Sequence, residues 1–287
     1  KVEPKLHSLV TRLCLAPVLF RVFVSHGSKG YKMKNRQDFW KDNLQGAVSL
    51  TFDDGIKTHI DNAIPTLDRH DLKGTFYVNP ERGPRWDAFL PHWKEASANG
   101  HEMGNHTCDH PCSCNFGFSN EYCLEKLTLE DIADTIDRAT AVLDTEFPEQ
   151  NGNRSYCYPC YQSHVGSGVN RKSYVPVVAE RFKVGRGGGE RPNNPDLIDL
   201  PYTWSWAVEN VSGQAIIDHI ENAVEQGQWA VICMHGVGGE HLAISTEALA
   251  EVCTYLATHR DRIWADTAIG VGDYILDRRS ELGIEAP

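Results

Sequence analysis

The chain of 287 residues has no surplus of basic residues and no long apolar run. Lys and Arg number 28 against 39 Asp and Glu, and the net charge of −11 argues against nucleic-acid binding, which needs excess cations. The longest apolar stretch, residues 13–20, contains Pro17 and is far shorter than the roughly 20 residues of a membrane-spanning helix. Internal repeats and low-complexity segments are also missing. With 41% hydrophobic and 23% charged residues, the composition is that of an ordinary globular protein.

The N-terminal part differs in charge from the rest of the chain. Residues 1–45 carry nine Lys or Arg and three Asp or Glu, and residues 5–24 run from basic to apolar, as in a signal peptide. Arg12 and Arg21 interrupt the apolar part, and no small-residue cleavage pattern follows. We therefore expect a structured extension over residues 1–45 and a single folded domain over residues 46–280.

Beyond residue 45, short apolar runs alternate with helical periods. Spacings of three and four between apolar residues predict helices at 58–69, 129–147, 212–225 and 246–259. Apolar runs predict strands at 47–52, 75–78, 102–105, 156–158, 182–185, 229–234 and 263–265. Strands that are apolar on both faces and alternate with helices indicate a parallel sheet covered by helices. Six or seven such units in about 240 residues predict an α/β barrel with its active site at the strand carboxyl ends.

Two adjacent carboxylates follow the first predicted strand, which ends in Thr-Phe-Asp-Asp-Gly at residues 51–55. This position places Asp53 and Asp54 at the expected catalytic edge of the sheet. Adjacent carboxylates repel each other, so keeping both ionised requires a nearby cation. The alternative is that an Asp here only caps the following helix.

Histidines follow two other predicted strands. His106 and His110 are four residues apart and can converge on one metal if the backbone is turned, although a pair of surface histidines is the alternative. Together with an Asp they form a set of two His and one carboxylate, which leaves coordination positions open for water and substrate. His235 ends the apolar strand at 229–234, where it is either a structural group or an acid–base catalyst, and its position favours the catalyst.

These three motifs together resemble the polysaccharide deacetylase (NodB homology) family of carbohydrate esterases over roughly residues 46–276. The resemblance implies a distorted (β/α) barrel with a seven-stranded parallel sheet and helices outside. It implies that Asp54, His106 and His110 bind one divalent metal, with zinc expected and cobalt, nickel or manganese as alternatives. It further implies that Asp53 is the general base and His235 the general acid. The expected partner is an acetylated carbohydrate, and the expected location is secreted or cell-surface, with an intracellular one left open.

The residue that orients the catalytic Asp departs from the pattern of the family. Family members usually carry an Arg that orients the catalytic Asp in a strand reading Phe-Arg-x-Pro-Tyr. Here Cys157 occupies that position, and a thiol cannot form the two-pronged carboxylate contact. Arg186, at the end of the next predicted strand, is the expected substitute, and Arg154 is a weaker one.

The sequence is rich in cysteines near the metal motif. Of nine cysteines, six lie near it in sequence or by motif: Cys108, Cys112, Cys114, Cys123, Cys157 and Cys160. Three interpretations stay open, namely buried thiols, a disulfide between the loop and the Cys157/Cys160 segment, or a second, structural zinc site.

Aromatic residues suggest a substrate surface. Tyr158 lies in the strand that matches the family motif, and Trp204 and Trp206 alternate on an extended segment, which would place both on one face. We predict these three as substrate-binding residues, with packing in the core as the alternative.

The leading hypothesis is a metal-dependent hydrolase that deacetylates a glycan such as chitin oligomers, peptidoglycan or acetylxylan. Alternatives are a hydrolase of non-sugar amide or imide bonds, a non-catalytic glycan-binding relative, and a non-haem iron oxygenase. The α/β pattern argues against the oxygenase, since those enzymes usually have an all-β scaffold.

Overall fold

The computed structural model describes residues 39–80, 83–118 and 122–285. Its strands are β1 Gly46–Asp53, β2 Thr75–Val78, β3 Glu102–Asn105, β4 Tyr156–Cys157, β5 His164–Val165, β6 Lys172–Ser173, β7 Gly185–Arg186, β8 Trp206–Ala207, β9 Trp229–Met234 and β10 Ile263–Ala265. Its α-helices are α1 Ile64–Arg69, α2 Pro84–Ala98, α3 Leu129–Glu146, α4 Val175–Ala179, α5 Gly213–Glu225, α6 Thr246–Thr258 and α7 Ala268–Leu282.

Seven strands form one continuous parallel sheet in the order β7–β4–β3–β2–β1–β9–β8, and β10 pairs with the start of β1. The two outer strands of this sheet, β7 and β8, are linked by hydrogen bonds from the segment before β8 to the backbone of β7. Thr203 donates its N–H to the carbonyl of Gly185 at 2.7 Å and accepts from the N–H of Gly187 at 2.8 Å. The sheet therefore curls into a distorted barrel, as predicted, with β5 and β6 forming a separate antiparallel pair.

The helices bury the apolar stripes that the sequence predicted. In α5 the stripe is Ile216, Ile217, Ile220 and Val224, and all four side chains are buried. Side chains of both α5 and α6 belong to the main core, together with those of β1 and β9. Ser212 and Ser245 cap these two helices by accepting hydrogen bonds from backbone N–H groups of the first turn. All eight residues of β1 are buried, as expected for a central strand covered on both faces.

The predicted N-terminal extension lies largely outside the described residues. Phe39 and Trp40, near its end, are buried and pack with Trp264 and Tyr274 of the barrel. The boundary at residue 45 stays a prediction. No helix within the described ranges is long and apolar enough to cross a membrane.

Candidate active site

The carboxyl ends of three parallel strands bring the predicted site residues together. Asp53 is the last residue of β1, His106 follows β3, and His235 follows β9. Because neighbouring parallel strands end at the same edge of the sheet, residues distant in sequence meet there.

The three predicted metal ligands converge. Oδ1 of Asp54 lies 3.4 Å from Nε2 of His106 and 3.2 Å from Nε2 of His110. A tetrahedral zinc ion with ligands at about 2.0–2.1 Å places neighbouring ligand atoms about 3.3–3.4 Å apart. The spacing therefore fits a divalent ion held by these three side chains.

Local backbone geometry directs these ligands. Asp54 and His110 both have left-handed conformations, with φ of 76° and 44°. The turn between the two histidines is tied by Thr107, whose Oγ1 accepts from the N–H of His110 at 2.9 Å. The four-residue spacing is therefore bridged by a turn and not by a helix.

A hydrogen bond to the main chain orients the ring of His106. Its Nδ1 lies 3.0 Å from the carbonyl oxygen of Cys157, which can only accept, so Nδ1 carries the proton. The lone pair of Nε2 is then available on the side of Asp54, an arrangement typical of metal-binding histidines. Burial alone would raise the pKa of Asp54, but when the surrounding histidines carry protons on the nitrogens that face it, their hydrogen bonds lower that pKa.

The predicted base, Asp53, is buried against a guanidinium. Its exposed fraction is 3%, and Nη2 of Arg186 contacts its Oδ2. Burial raises the pKa of Asp53, but the charges of Arg186, His106 and His235 together outweigh it, so the pKa is lowered and the carboxylate is ionised. Oδ1 of Asp53 has no hydrogen-bond partner among the described residues, so an acceptor is left for an incoming group.

The position of Arg186 follows from strand pairing. In the parallel pair β4–β7, Arg186 stands directly opposite Cys157, so both side chains point to the same side of the sheet. The guanidinium contacts the Sγ of Cys157 and donates to Oγ of Ser205 at 3.3 Å. A small side chain on β4 thus leaves room for a long one from β7.

The predicted acid, His235, lies beside both carboxylates. Its Nε2 is 3.9 Å from Oδ2 of Asp53 and 4.0 Å from Oδ2 of Asp54. Buried His59 donates from Nε2 to the carbonyl of His235 at 2.8 Å and holds its backbone. Burial lowers the pKa of His235.

A cleft of about 830 Å³ opens above these groups. Besides the candidate catalytic and metal-binding residues, its walls include polar Asn79, Arg85 and Asp109 and a larger apolar set. The apolar set comprises Ile56, Phe116, Phe118, Tyr161, Ala207 and Leu242.

The three predicted substrate-binding residues are not among those that line this cleft. Tyr158 is buried among other tyrosines and donates its hydroxyl to the carbonyl of Pro201 at 2.7 Å. Trp206 packs on His219 of α5, with ring centroids 4.7 Å apart. Trp204 is partly exposed, but its backbone N–H and carbonyl are both held by Asn193. Local alternation could not show which way Trp204 and Trp206 face, because the path of that segment is set by pairing with distant residues. The substrate-binding role of the three residues stays a prediction.

The cysteines fall into two groups. Disulfides join Cys112 to Cys160 and Cys114 to Cys123, so the loop after His110 is linked to the segment after β4. Cys157, Cys233 and Cys253 are free and buried. The disulfide interpretation therefore holds for the loop, and the buried-thiol interpretation holds for Cys157.

His241 also lies at the site, although it was not predicted from the sequence. Nε2 of His241 lies 2.8 Å from Oδ2 of Asp54, on a loop that returns to the site after β9. The available signal was its position six residues after His235, in the same loop at the strand end.

Comparison with known proteins places this geometry in context. A model of the polysaccharide deacetylase family matches residues 41–165, which confirms the resemblance for the two motifs that contain Asp53 and His106. A Mycobacterium smegmatis protein named as a polysaccharide deacetylase superimposes with a TM-score of 0.58 at 14% identity, over 84% of this chain and 93% of its own. Peptidoglycan deacetylase PdaC from Bacillus subtilis gives 0.51 at 16% identity, over 85% and 97%.

A family 4 acetyl xylan esterase from Clostridium thermocellum, solved with a cobalt ion, gives a TM-score of 0.50 at 18% identity, over 83% of this chain and 93% of its own. At these identities the structures show a shared fold, the predicted distorted barrel. No curated protein sequence matches the chain.

Proposed function

We propose, with the match of residues 41–165 to the polysaccharide deacetylase family as the premise, that this protein is a metal-dependent hydrolase that removes acetyl groups from a glycan. The observation that carries the proposal is the meeting of two sets at one strand edge. One set, Asp54, His106 and His110, can bind a metal. Beside it lies the ionised carboxylate of Asp53, whose Oδ1 has no hydrogen-bond partner among the described residues.

A divalent metal held by that set, which we propose is zinc, would supply a Lewis acid that activates water and polarises the acyl oxygen. Asp53 accepts a proton from the attacking water through its Oδ1. Arg186 holds the other oxygen of Asp53, which keeps the carboxylate from turning away from the reacting centre.

His235 stands near both carboxylates and donates a proton to the leaving nitrogen, because an amine departs poorly without one. The overall reaction consumes one water and releases acetate and a free amine. The substrates that we propose are chitin oligomers, peptidoglycan or acetylxylan, where the last would release an alcohol.

The test is acetate release from these three substrates by zinc-loaded protein. We expect Asp53→Asn to keep its metal and to lose about a hundredfold or more in rate. Asp218→Asn, on the exposed face of α5, is the matched control and should behave like the wild type. His235→Ala should slow amide substrates more than esters, because an alcohol leaves more readily. Metal-loaded protein that binds these glycans without releasing acetate would instead support a non-catalytic relative.

One observation favours a second candidate, the hydrolysis of non-sugar amides or imides. The cleft is bordered by the exposed apolar side chains of Phe116, Phe118 and Leu242, and the predicted tryptophans are absent from its lining. A cyclic imide that is cleaved faster than any acetylated glycan would establish this alternative.

A further inference from the structure

We propose that His241 is a positioning residue that fixes the rotation of Asp54 and thereby sets the affinity of the metal site. This inference rests on the metal-binding set of the proposed function. It concerns a residue on the loop after β9, outside the three motifs that point to that function.

The two oxygens of Asp54 have different neighbours. Oδ1 lies 3.2 Å and 3.4 Å from the Nε2 atoms of His110 and His106. Oδ2 lies 2.8 Å from Nε2 of His241, which is a hydrogen-bond distance, and an ionised carboxylate can only accept. His241 therefore donates to Oδ2 and leaves Oδ1 for the ion. Hydrogen bonds of this kind orient ligating carboxylates in metal sites.

The loop that carries His241 is closed by its own backbone. The N–H of Gly236 donates to the carbonyl of His241 at 3.0 Å, and the N–H of Ile244 donates to the carbonyl of Gly236 at 3.0 Å. A Cβ on Gly236 would lie 2.0 Å from the carbonyl oxygen of Gly239, so this closure requires glycine.

A second contact joins the loop to the start of the helical segment that follows Asp54. The side chain of Glu240 accepts from the backbone N–H of Thr58 at 2.7 Å. His241, the next residue, is thereby held beside the carboxylate although its own side chain is half exposed.

The backbone on both sides of His241 is in an unfavourable conformation. Glu240 and Leu242 have φ of 65° and 47°, in the left-handed region that is unfavourable for residues other than glycine. Such conformations persist where the surroundings impose them and are concentrated at functional sites. Here they orient the intervening side chain toward Asp54.

The distances argue against His241 as the ligand of a second ion. Such an ion would be shared by Asp54, His235 and His241. Oδ2 of Asp54 is 2.8 Å from His241 but 4.0 Å from His235, whereas a tetrahedral zinc site needs similar separations of about 3.3 Å. A hydrogen bond accounts for the short distance by itself.

The experiment measures zinc affinity by competition with a chelating dye and metal content per chain, for wild type, His241→Ala, His241→Gln and His92→Ala. His92 lies on the exposed side of α2 and is the control histidine. We expect one ion per wild-type chain and a loss of about 10- to 100-fold in affinity for His241→Ala. His241→Gln, whose amide can still donate, should recover most of the affinity. The visible cobalt spectrum should keep its shape in all variants.

Wild-type affinity in His241→Ala would overturn the inference, as would a glutamine variant as weak as the alanine one. Two ions in the wild type with one in His241→Ala, or a cobalt band that shifts, would make His241 a ligand. A wild-type protein that binds no ion would overturn the metal site itself and this inference with it. Thermal unfolding of each variant confirms that the fold is intact.

Discussion

Moving the buried guanidinium from β7 to β4 tests how Asp53 is held. Arg186 and Cys157 are directly opposed in the parallel pair, so the exchange variant Cys157→Arg/Arg186→Cys keeps the same atoms on the same side of the sheet. The single variant Arg186→Cys removes the guanidinium altogether. Arg186→Lys keeps the charge but not the planar fork.

The expected loss of stability in Arg186→Cys follows from the burial of both charged groups. Arg186 is 0% exposed and Asp53 is 3% exposed, so the single variant leaves a carboxylate buried without its partner. Breaking a buried ion pair in this way costs about 3–5 kcal/mol in the free energy of unfolding. We also expect the rate of acetate release to fall about a hundredfold, since the base is no longer oriented. The exchange variant should release acetate at least about tenfold faster than Arg186→Cys, because its Arg can again contact Asp53.

Urea unfolding, acetate release and metal content together provide the assay. Metal content should be unchanged throughout, because Arg186 contacts Asp53 and not the metal-binding set. Near-normal rates in both Arg186→Cys and Arg186→Lys would refute this role of Arg186, as would an exchange variant that is no faster than Arg186→Cys. In that case another group orients Asp53.

Three further predictions concern the metal, a disulfide and pH. His110→Ala should lose most of its bound metal in elemental analysis, and full retention would contradict its role as a ligand. Peptide mapping without reduction should recover a fragment that joins Cys112 to Cys160, and replacing both by Ala should cost about 4 kcal/mol for a loop of 48 residues. Cysteines that are fully reduced in the native protein, without any loss of stability, would contradict this disulfide. Burial lowers the pKa of His59 to about 4 from an ordinary 6.5, so the unfolded chain binds the proton first as pH falls. Stability should therefore be complete above pH 6.5 and decline by about 3 kcal/mol toward pH 4, and His59→Gln should flatten that decline.

The sequence by itself determined the central elements and the edge at which they act, whereas α2, α4, α7 and β8 were not predicted. Apolar periodicity assigned the faces of α5 and α6 because a helix buries one stripe, and continuous apolar runs marked β1 and β9 because a central parallel strand is covered on both sides. The acids after β1 and the histidines after β3 and β9 were expected to meet, since parallel strands end at one edge.

Only the tertiary structure decided which side chains actually touch at that edge. Pairing in register placed Arg186 opposite Cys157, and a loop closed by distant backbone hydrogen bonds carried His241 to Asp54. The same kind of long-range pairing turned Trp206 toward α5 and away from the cleft. Periodicity reports the face of an element, but the path of a loop depends on hydrogen bonds and space supplied by residues far away in the chain. Those partners become neighbours only when the barrel has formed.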